Sequence, residues 1–371
     1  MAITVEQVID ALGTVVEPER GKDIVRLRMV KDLRVDGDTV RFTLVLPNPA
    51  SPFARTVEDA VTRAIRDAAG EGVTVNVSLD NEMIGLGDDL MLGGAAETPS
   101  STPEPLNLIA VASGKGGVGK STVAVNLAVA LARQGYDVGL VDTDIYGPSI
   151  PTMFGLKDAR PTVNEARKIV PLQKYGVRLL SMGFLVDPDK AVIWRGPMVT
   201  SAVQQFLGDT AWGELDFLIM DLPPGTGDIQ LTIVQTVSLA GVVIVSTPQD
   251  VALADARKGV AMFEQVNVPV LGIVENMAYF TPPDLPDRKY YLFGEGGARR
   301  LAEELGVAFL GEVPIEQSLR EHCDAGTPVV AEAPESPAAQ AFTRIAERTA
   351  RQTAIRNATL PATEKIEILH R

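Results

Sequence analysis

The stretch Ser113-Gly114-Lys115-Gly116-Gly117-Val118-Gly119-Lys120-Ser121-Thr122 decides how the rest of this chain is read. It follows a short apolar run at 108–112 and opens a segment, 121–133, whose apolar residues recur at helical spacing. The pattern G-x-x-x-x-G-K-[ST] is therefore present in the strand, loop and helix setting that its chemistry needs. Its glycines let backbone N–H groups fold into a concave nest around phosphate oxygens, and the helix N-terminus adds its dipole. Lys120 then reaches the β- and γ-phosphates, and Ser121 ligates Mg²⁺. The candidate nucleotide-binding residues here are Gly114, Lys115, Gly116, Gly117, Val118, Gly119, Lys120, Ser121 and Thr122.

Outward from this loop, residues 138–141, 177–181, 217–220, 242–245 and 270–274 are short β-rich apolar runs, and 253–266 is another helical pattern. Alternation of buried strands with helices specifies an α/β fold, a mostly parallel sheet covered by helices on both faces. Ligands of such sheets bind at the carboxyl ends of the strands. Asp142 and Asp144 follow one run, and Asp221-Leu-Pro-Pro-Gly225-Thr-Gly227 follows another. Taken singly, each Asp reads equally well as a helix N-cap. Three in order after a phosphate nest point to metal and phosphate chemistry: Asp221 fits an acid holding Mg²⁺ through water, and the Gly225 N–H fits a γ-phosphate sensor. Asn276 ends the 270–274 run, and Pro314 reads either as a residue flanking a bound base or as a simple turn proline.

The chain has 371 residues, 34 basic and 48 acidic, for a net charge of −14. That balance argues against nucleic-acid and anionic-membrane partners, which are bound largely through Lys/Arg patches. No basic and apolar leader opens the chain and no apolar run approaches the roughly 20 residues of a bilayer span, so the expected address is the cytoplasm. Residues 85–105, rich in Gly, Ser, Thr and Pro, read as a flexible linker. The expected organisation is a small α+β domain at 1–84, the linker, a nucleotide domain at 106–355 and a tail at 356–371. In the front domain Thr4 caps a helix toward Leu12, strands are expected around 24–31 and 39–46, a helix starts near Phe53 and closes at Gly70, and Val73, Val75, Val77 and Leu79 alternate as a strand.

Lys115 immediately after Gly114 gives Lys-Gly-Gly-Val-Gly-Lys-Ser-Thr, which resembles the deviant Walker A P-loop of the MinD and ParA class. With Asp142-Thr-Asp-Ile-Tyr-Gly-Pro-Ser149, Trp194-Arg-Gly-Pro-Met198, Asp221-Leu-Pro-Pro-Gly-Thr-Gly-Asp228 and Glu275-Asn-Met277, the chain resembles Mrp/ApbC-type iron–sulfur cluster carrier ATPases. Asp10-Ala-Leu and Val16-Glu-Pro-Glu19 resemble the MIP18-like domain often fused to them. The resemblance implies a P-loop NTPase fold and a homodimeric Mg²⁺-ATPase serving apo iron–sulfur client proteins or scaffold proteins. It implies that Lys115 reaches across the dimer to the partner's ATP, that Asp142 supports hydrated Mg²⁺, that Asp144 positions the attacking water and that Asn276 hydrogen-bonds the adenine. Lys115, Lys120 and Asp144 are thus the candidate catalytic residues, and Ser121, Asp142 and Asp221 the candidate metal ligands.

The family's pattern fails at one place. Many members carry a C-x-x-C pair after the Asn-Met motif, which in a dimer supplies four thiolates for a [4Fe-4S] cluster. Here residues 278–293 contain no cysteine, and Cys323 is the chain's single thiol. Cys323 reads as a small packed side chain, and two such sulfurs per dimer fall short of the usual four. Two roles remain open for the ATPase, carrier of a cluster or nucleotide-gated adaptor that holds none.

Overall fold

The computed structural model describes residues 3–18, 20–46, 52–70, 72–81, 107–144, 147–184 and 196–361. The expected linker, residues 145–146 and 194–195 of the quoted motifs, and the tail beyond 361 lie outside the described residues. Among the described residues the chain divides into two compact units, one formed by the front residues up to 81 together with residues 351–361, the other by residues 107–350.

In the front unit α1 (Val5–Leu12) starts at Thr4, whose hydroxyl accepts from the Gln7 N–H while the Gln7 side chain accepts from the Thr4 N–H. This reciprocal cap satisfies two helix-end donors and sets where the helix begins. β1 (Val30–Asp36) and β2 (Thr39–Leu46) pair antiparallel around Gly37, whose φ of 59° suits the tight turn. α2 (Pro52–Ala69) leads to β3 (Thr74–Asn81), which lies parallel to β2. The expected strand at 24–31 is corrected. Asp23 Oδ1 accepts from the Arg26 N–H at 2.7 Å, the Met29 N–H returns to the Ile24 carbonyl, and Arg28 has a φ of 57°. A local side-chain-to-backbone turn thus outcompetes the ladder until Val30, and Ile24 is buried without being in a strand. The expected tail boundary at 356 is likewise no break. The helix Pro337–Thr359 runs through it, and Ala354, Ile355 and Ala358 pack in the front unit's core.

The second unit is built on β4 (Asn107–Ala112), α3 (Lys120–Arg133), β5 (Val138–Asp142), α4 (Ile150–Met153), the short hairpin β6 (Thr162–Val163) and β7 (Ile169–Val170), β8 (Leu172–Lys174) and β9 (Val177–Ser181). It continues through α5 (Gly196–Gly208), β10 (Phe217–Asp221), α6 (Asp228–Thr236), β11 (Gly241–Ser246), α7 (Asp250–Gln265), β12 (Val270–Glu275), α8 (Gly297–Leu305), β13 (Phe309–Glu312), α9 (Gln317–Ala325), α10 (Val329–Glu332) and the part of α11 (Pro337–Thr359) before residue 351. Among the described residues the sheet has eight strands in the order β13-β12-β11-β4-β10-β5-β9-β8, parallel except for the edge strand β8. β8 and β13 carry no signal in the sequence reading. They are three and four residues long, too short for a period to show.

Strands β4, β5, β10 and β11 are buried at every position, which is why they read as continuous apolar runs rather than alternating ones. α3 is buried almost all round, so its Ala and Val side chains serve two layers. β4 lies between β10 and β11 at the centre of the sheet, and the glycine loop leaves its carboxyl end. In the register of this sheet Asp221 on β10 stands opposite Asp142 on β5, and Asp142 opposite Ser181 on β9. The fold therefore brings three chain segments to one edge, each ending in a polar residue.

Candidate functional site

Between β4 and α3 the loop turns on Gly117 and Gly119, both with φ of 83°, a conformation that costs side-chain-bearing residues about 1 kcal/mol or more. Among the described residues the backbone N–H groups from Lys115 to Gly119 donate no hydrogen bond. They are the free donors that a phosphate nest requires. The loop is braced from outside. A Cβ at Gly114 would lie 2.4 Å from the backbone of Asp255 on α7, so the first turn is seated directly on that helix. Gly114→Ala is expected to force α7 and the loop apart at a cost of about 1–3 kcal/mol, read as a lower urea midpoint together with weaker nucleotide binding. The Ser113 hydroxyl donates to the Lys115 carbonyl at 3.0 Å, which closes the turn internally.

Lys120 is the first residue of α3 and is 6% exposed. Its Nζ lies 2.5 Å from Asp221 Oδ1 and 3.2 Å from Ser121 Oγ. Asp221 is fully buried, and its Oδ2 has no hydrogen-bond partner among the described residues. Burial pushes the Asp221 carboxyl up, while the Lys120 charge and the Ser121 hydroxyl pull it down. Asp142, also fully buried, is pushed up to about 7 by burial and then by the facing Asp221 carboxylate. Hydrogen bonds act against that rise: Ser181 Oγ donates to Asp142 Oδ2 at 2.9 Å and the Asp144 N–H to Asp142 Oδ1 at 3.0 Å. The Ile150 N–H adds a longer bond to Oδ2 at 3.4 Å.

Thus the sequence-designated acids are brought together but are not equivalent. Asp142 is bound into the protein by surrounding donors, and Asp144 accepts from the Gly147 N–H at 3.2 Å. Of these three acids, Asp221 alone keeps a buried oxygen without a partner among the described residues. A hard cation seeks oxygen ligands. The Asp221 Oδ2 and Ser121 Oγ atoms fit one, with Asp142 behind them. The Gly225 N–H is not directed outward, because it donates to the Ser113 carbonyl at 3.0 Å. Asn276, 4% exposed, sends its Nδ2 to the Val118 carbonyl at 2.8 Å. The Lys115 side chain is half-buried and makes no ion pair among the described residues.

Two residues of this edge escaped the sequence reading. Thr143 donates both its N–H (3.0 Å) and its hydroxyl (2.8 Å) to the Asp221 carbonyl, tying the ends of β5 and β10. Ser181 holds Asp142 from β9. The only signal for either is a hydroxyl at the end of an apolar run, legible once strand neighbours are known.

Cys323 lies on α9, far from any role as a surface ligand. It is 9% exposed within the core formed with α3 and α11. Burial pushes its thiol up, and a hydrogen bond with the Thr122 side chain pulls the other way. Among the described residues no group of three or more His, Cys, Asp or Glu side chains is arranged to hold a metal ion.

Comparison with known proteins agrees with this architecture. Residues 105–350 match the family model of NUBPL iron-transfer P-loop NTPases, and residues 5–77 match that of iron-sulfur cluster assembly proteins. The chain is 49% identical over 360 residues to an iron-sulfur cluster carrier protein of Synechocystis, covering 94% of this chain and 97% of that one. It is 46% identical to one of Deinococcus radiodurans, covering 95% and 96%. The iron-sulfur cluster transfer protein NUBPL of Dictyostelium discoideum is 52% identical over 252 residues, 68% of this chain and 78% of that one. Among solved structures, a nucleotide-binding protein of Archaeoglobus fulgidus in complex with ADP is 45% identical with a TM-score of 0.54, covering 60% of this chain and 87% of that one. The cell-division ATPase MinD of Pyrococcus furiosus is 26% identical with a TM-score of 0.50, covering 66% and 98%. With its nucleotide domain and its front domain both matched, the chain belongs to the family of iron–sulfur cluster carrier P-loop NTPases.

Proposed function

We propose that this chain is a Mg²⁺-dependent ATPase that acts as a homodimer in the assembly or transfer of iron–sulfur clusters to apo-proteins. The observation that carries the reading is the conjunction of unpaired loop N–H groups, Lys120 at the head of α3 and the unpartnered Asp221 Oδ2. The loop donors and Lys120 would bind phosphate oxygens, and Ser121 with Asp221 would hold Mg²⁺, which would neutralise phosphate charge. Asp142 would support the hydrated ion and Asp144 would orient the attacking water. Lys115, whose side chain makes no ion pair among the described residues, reaches a partner's phosphates, where a positive charge stabilises the transferring group. The Gly225 N–H senses the γ-phosphate only after leaving the Ser113 carbonyl, so the 221–227 loop moves when it does so. Phosphate release by the full chain with Mg²⁺, compared with the same assay in excess chelator, tests the activity. Turnover indifferent to chelator would remove the metal from the reading.

A second reading concerns the cluster and rests on Cys323. Its burial on α9 favours an adaptor that binds clients under nucleotide control and takes no cluster on its own thiol. Cys323→Ser is expected to leave the iron and sulfide content after anaerobic reconstitution unchanged and to cost about 1 kcal/mol of stability, from replacing a packed thiol by a hydroxyl. Stoichiometric iron that disappears in this variant would restore the thiol as a ligand.

A further inference from the structure

The glycine loop has a weakness that its chemistry requires. The peptide between Val118 and Gly119 is followed by a residue with φ of 83° and preceded, one residue earlier, by Gly117 with the same φ. Rotating this plane changes the Val118 ψ and the Gly119 φ, and glycine on its carboxyl side takes either sign of φ at little steric cost. Rotating this one by half a turn would aim a carbonyl, rather than an N–H, at bound phosphate. The structure supplies one contact that opposes the rotation. Asn276 Nδ2 donates to the Val118 carbonyl at 2.8 Å from the carboxyl end of β12, and a Cβ at Gly119 would lie 2.1 Å from that same nitrogen.

In a trans peptide the C=O and the following N–H point in opposite directions. Holding the Val118 carbonyl from outside therefore fixes the Gly119 N–H on the other side, and that N–H has no partner among the described residues. Asn276 is itself firmly placed. Its backbone N–H donates to the Ser246 carbonyl at 2.8 Å, its side chain is 4% exposed, and the next residue, Met277, has a φ of 56°, which presents the Asn276-Met277 turn to the loop.

We propose that Asn276 is a positioning residue for the phosphate nest: by holding the Val118 carbonyl it keeps the Gly119 N–H turned toward the phosphates, whatever it does at the base. The proposal rests on the nucleotide-binding reading above and deepens it. It separates from a base contact by one property, that a ligand without a base feels it fully.

The experiment measures binding of Mg²⁺-tripolyphosphate and of Mg²⁺-ATP to the full chain, to Asn276→Ala and to Asn276→Leu, a near-isostere without a donor. Both variants are expected to lose about tenfold in tripolyphosphate affinity, the equivalent of a hydrogen bond of about 1.4 kcal/mol. Their thermal midpoints, measured in parallel, serve to show that the fold is retained, and Asn276→Leu keeps the volume of the site if Asn276→Ala does not fold. Tripolyphosphate affinity within twofold of the parent, with ATP affinity reduced, would overturn the proposal and leave a base contact alone. A parent chain that binds neither ligand would instead overturn the nucleotide reading itself.

Discussion

Lys115→Ala is expected to lower ATP turnover about a thousandfold while leaving ATP affinity within a few-fold, the signature of a charge supplied in trans to a transferring phosphoryl group. The geometry gives the reason. The Lys115 backbone forms part of the glycine loop, so the loop survives the substitution, and its side chain makes no ion pair among the described residues whose loss would disturb the site. An interaction made chiefly in the transition state lowers turnover without raising the binding constant. The trans character has its own test. Mixing Lys115→Ala with Asp144→Asn creates heterodimers in which one site keeps Asp144 and receives Lys115 from its neighbour, so activity is expected to return to roughly a quarter of the parent level in a closed two-fold dimer. Two inactive variants that stay inactive on mixing would place Lys115 in its own site or outside catalysis.

Lys120→Ala is expected to remove measurable ATP binding, a loss of more than about a hundredfold, since the proposed site would lose the buried charge that faces the phosphates. It carries a second effect that Lys115→Ala lacks. Lys120 is the 2.5 Å partner of a fully buried carboxylate, and breaking such a pair costs about 3–5 kcal/mol. Asp221 is already pushed up by burial and would rise further without the lysine. A carboxyl whose folded-state pKa lies above its unfolded value holds a proton that the unfolded chain releases, so the variant's stability falls as pH rises. Urea unfolding of parent and variant across mildly acidic to neutral pH checks this. A variant deficit that grew on acidification would contradict the assigned pairing.

Much of this protein was legible before any coordinates, for a physical reason. Strands buried on both faces must be continuously apolar and phosphate nests must be glycine-rich, so β4, β5, β10, β11 and β12 and the 114–122 loop announce themselves in the order of residues. The acids at the strand ends were legible too, because the fold class places ligands there. Where the reading failed, a contact distant in sequence or a competing local bond decided. The 24–29 segment has the apolar content of a strand, yet Asp23 captures the Arg26 N–H and bends it into a turn. Residues 356–359 have the look of a tail, yet Ala358 is buried in the front unit's core.

By itself, the sequence determined that the chain carries a glycine-rich loop ending in a lysine and a hydroxyl, with acids following at later strand ends, and that its only thiol is Cys323. Composition and spacing are properties of the chain, and they decide which groups exist. The tertiary structure decided how those groups are engaged. It set Asp142 under the Ser181 hydroxyl, left Asp221 Oδ2 without a partner among the described residues, buried Cys323 in the core and turned Asn276 onto the Val118 carbonyl. Each of these depends on which strands become neighbours and in what register. Hydrogen bonds and burial act across a few ångströms of space between residues as distant in the chain as Val118 and Asn276, 158 positions apart, a separation that no local pattern encodes.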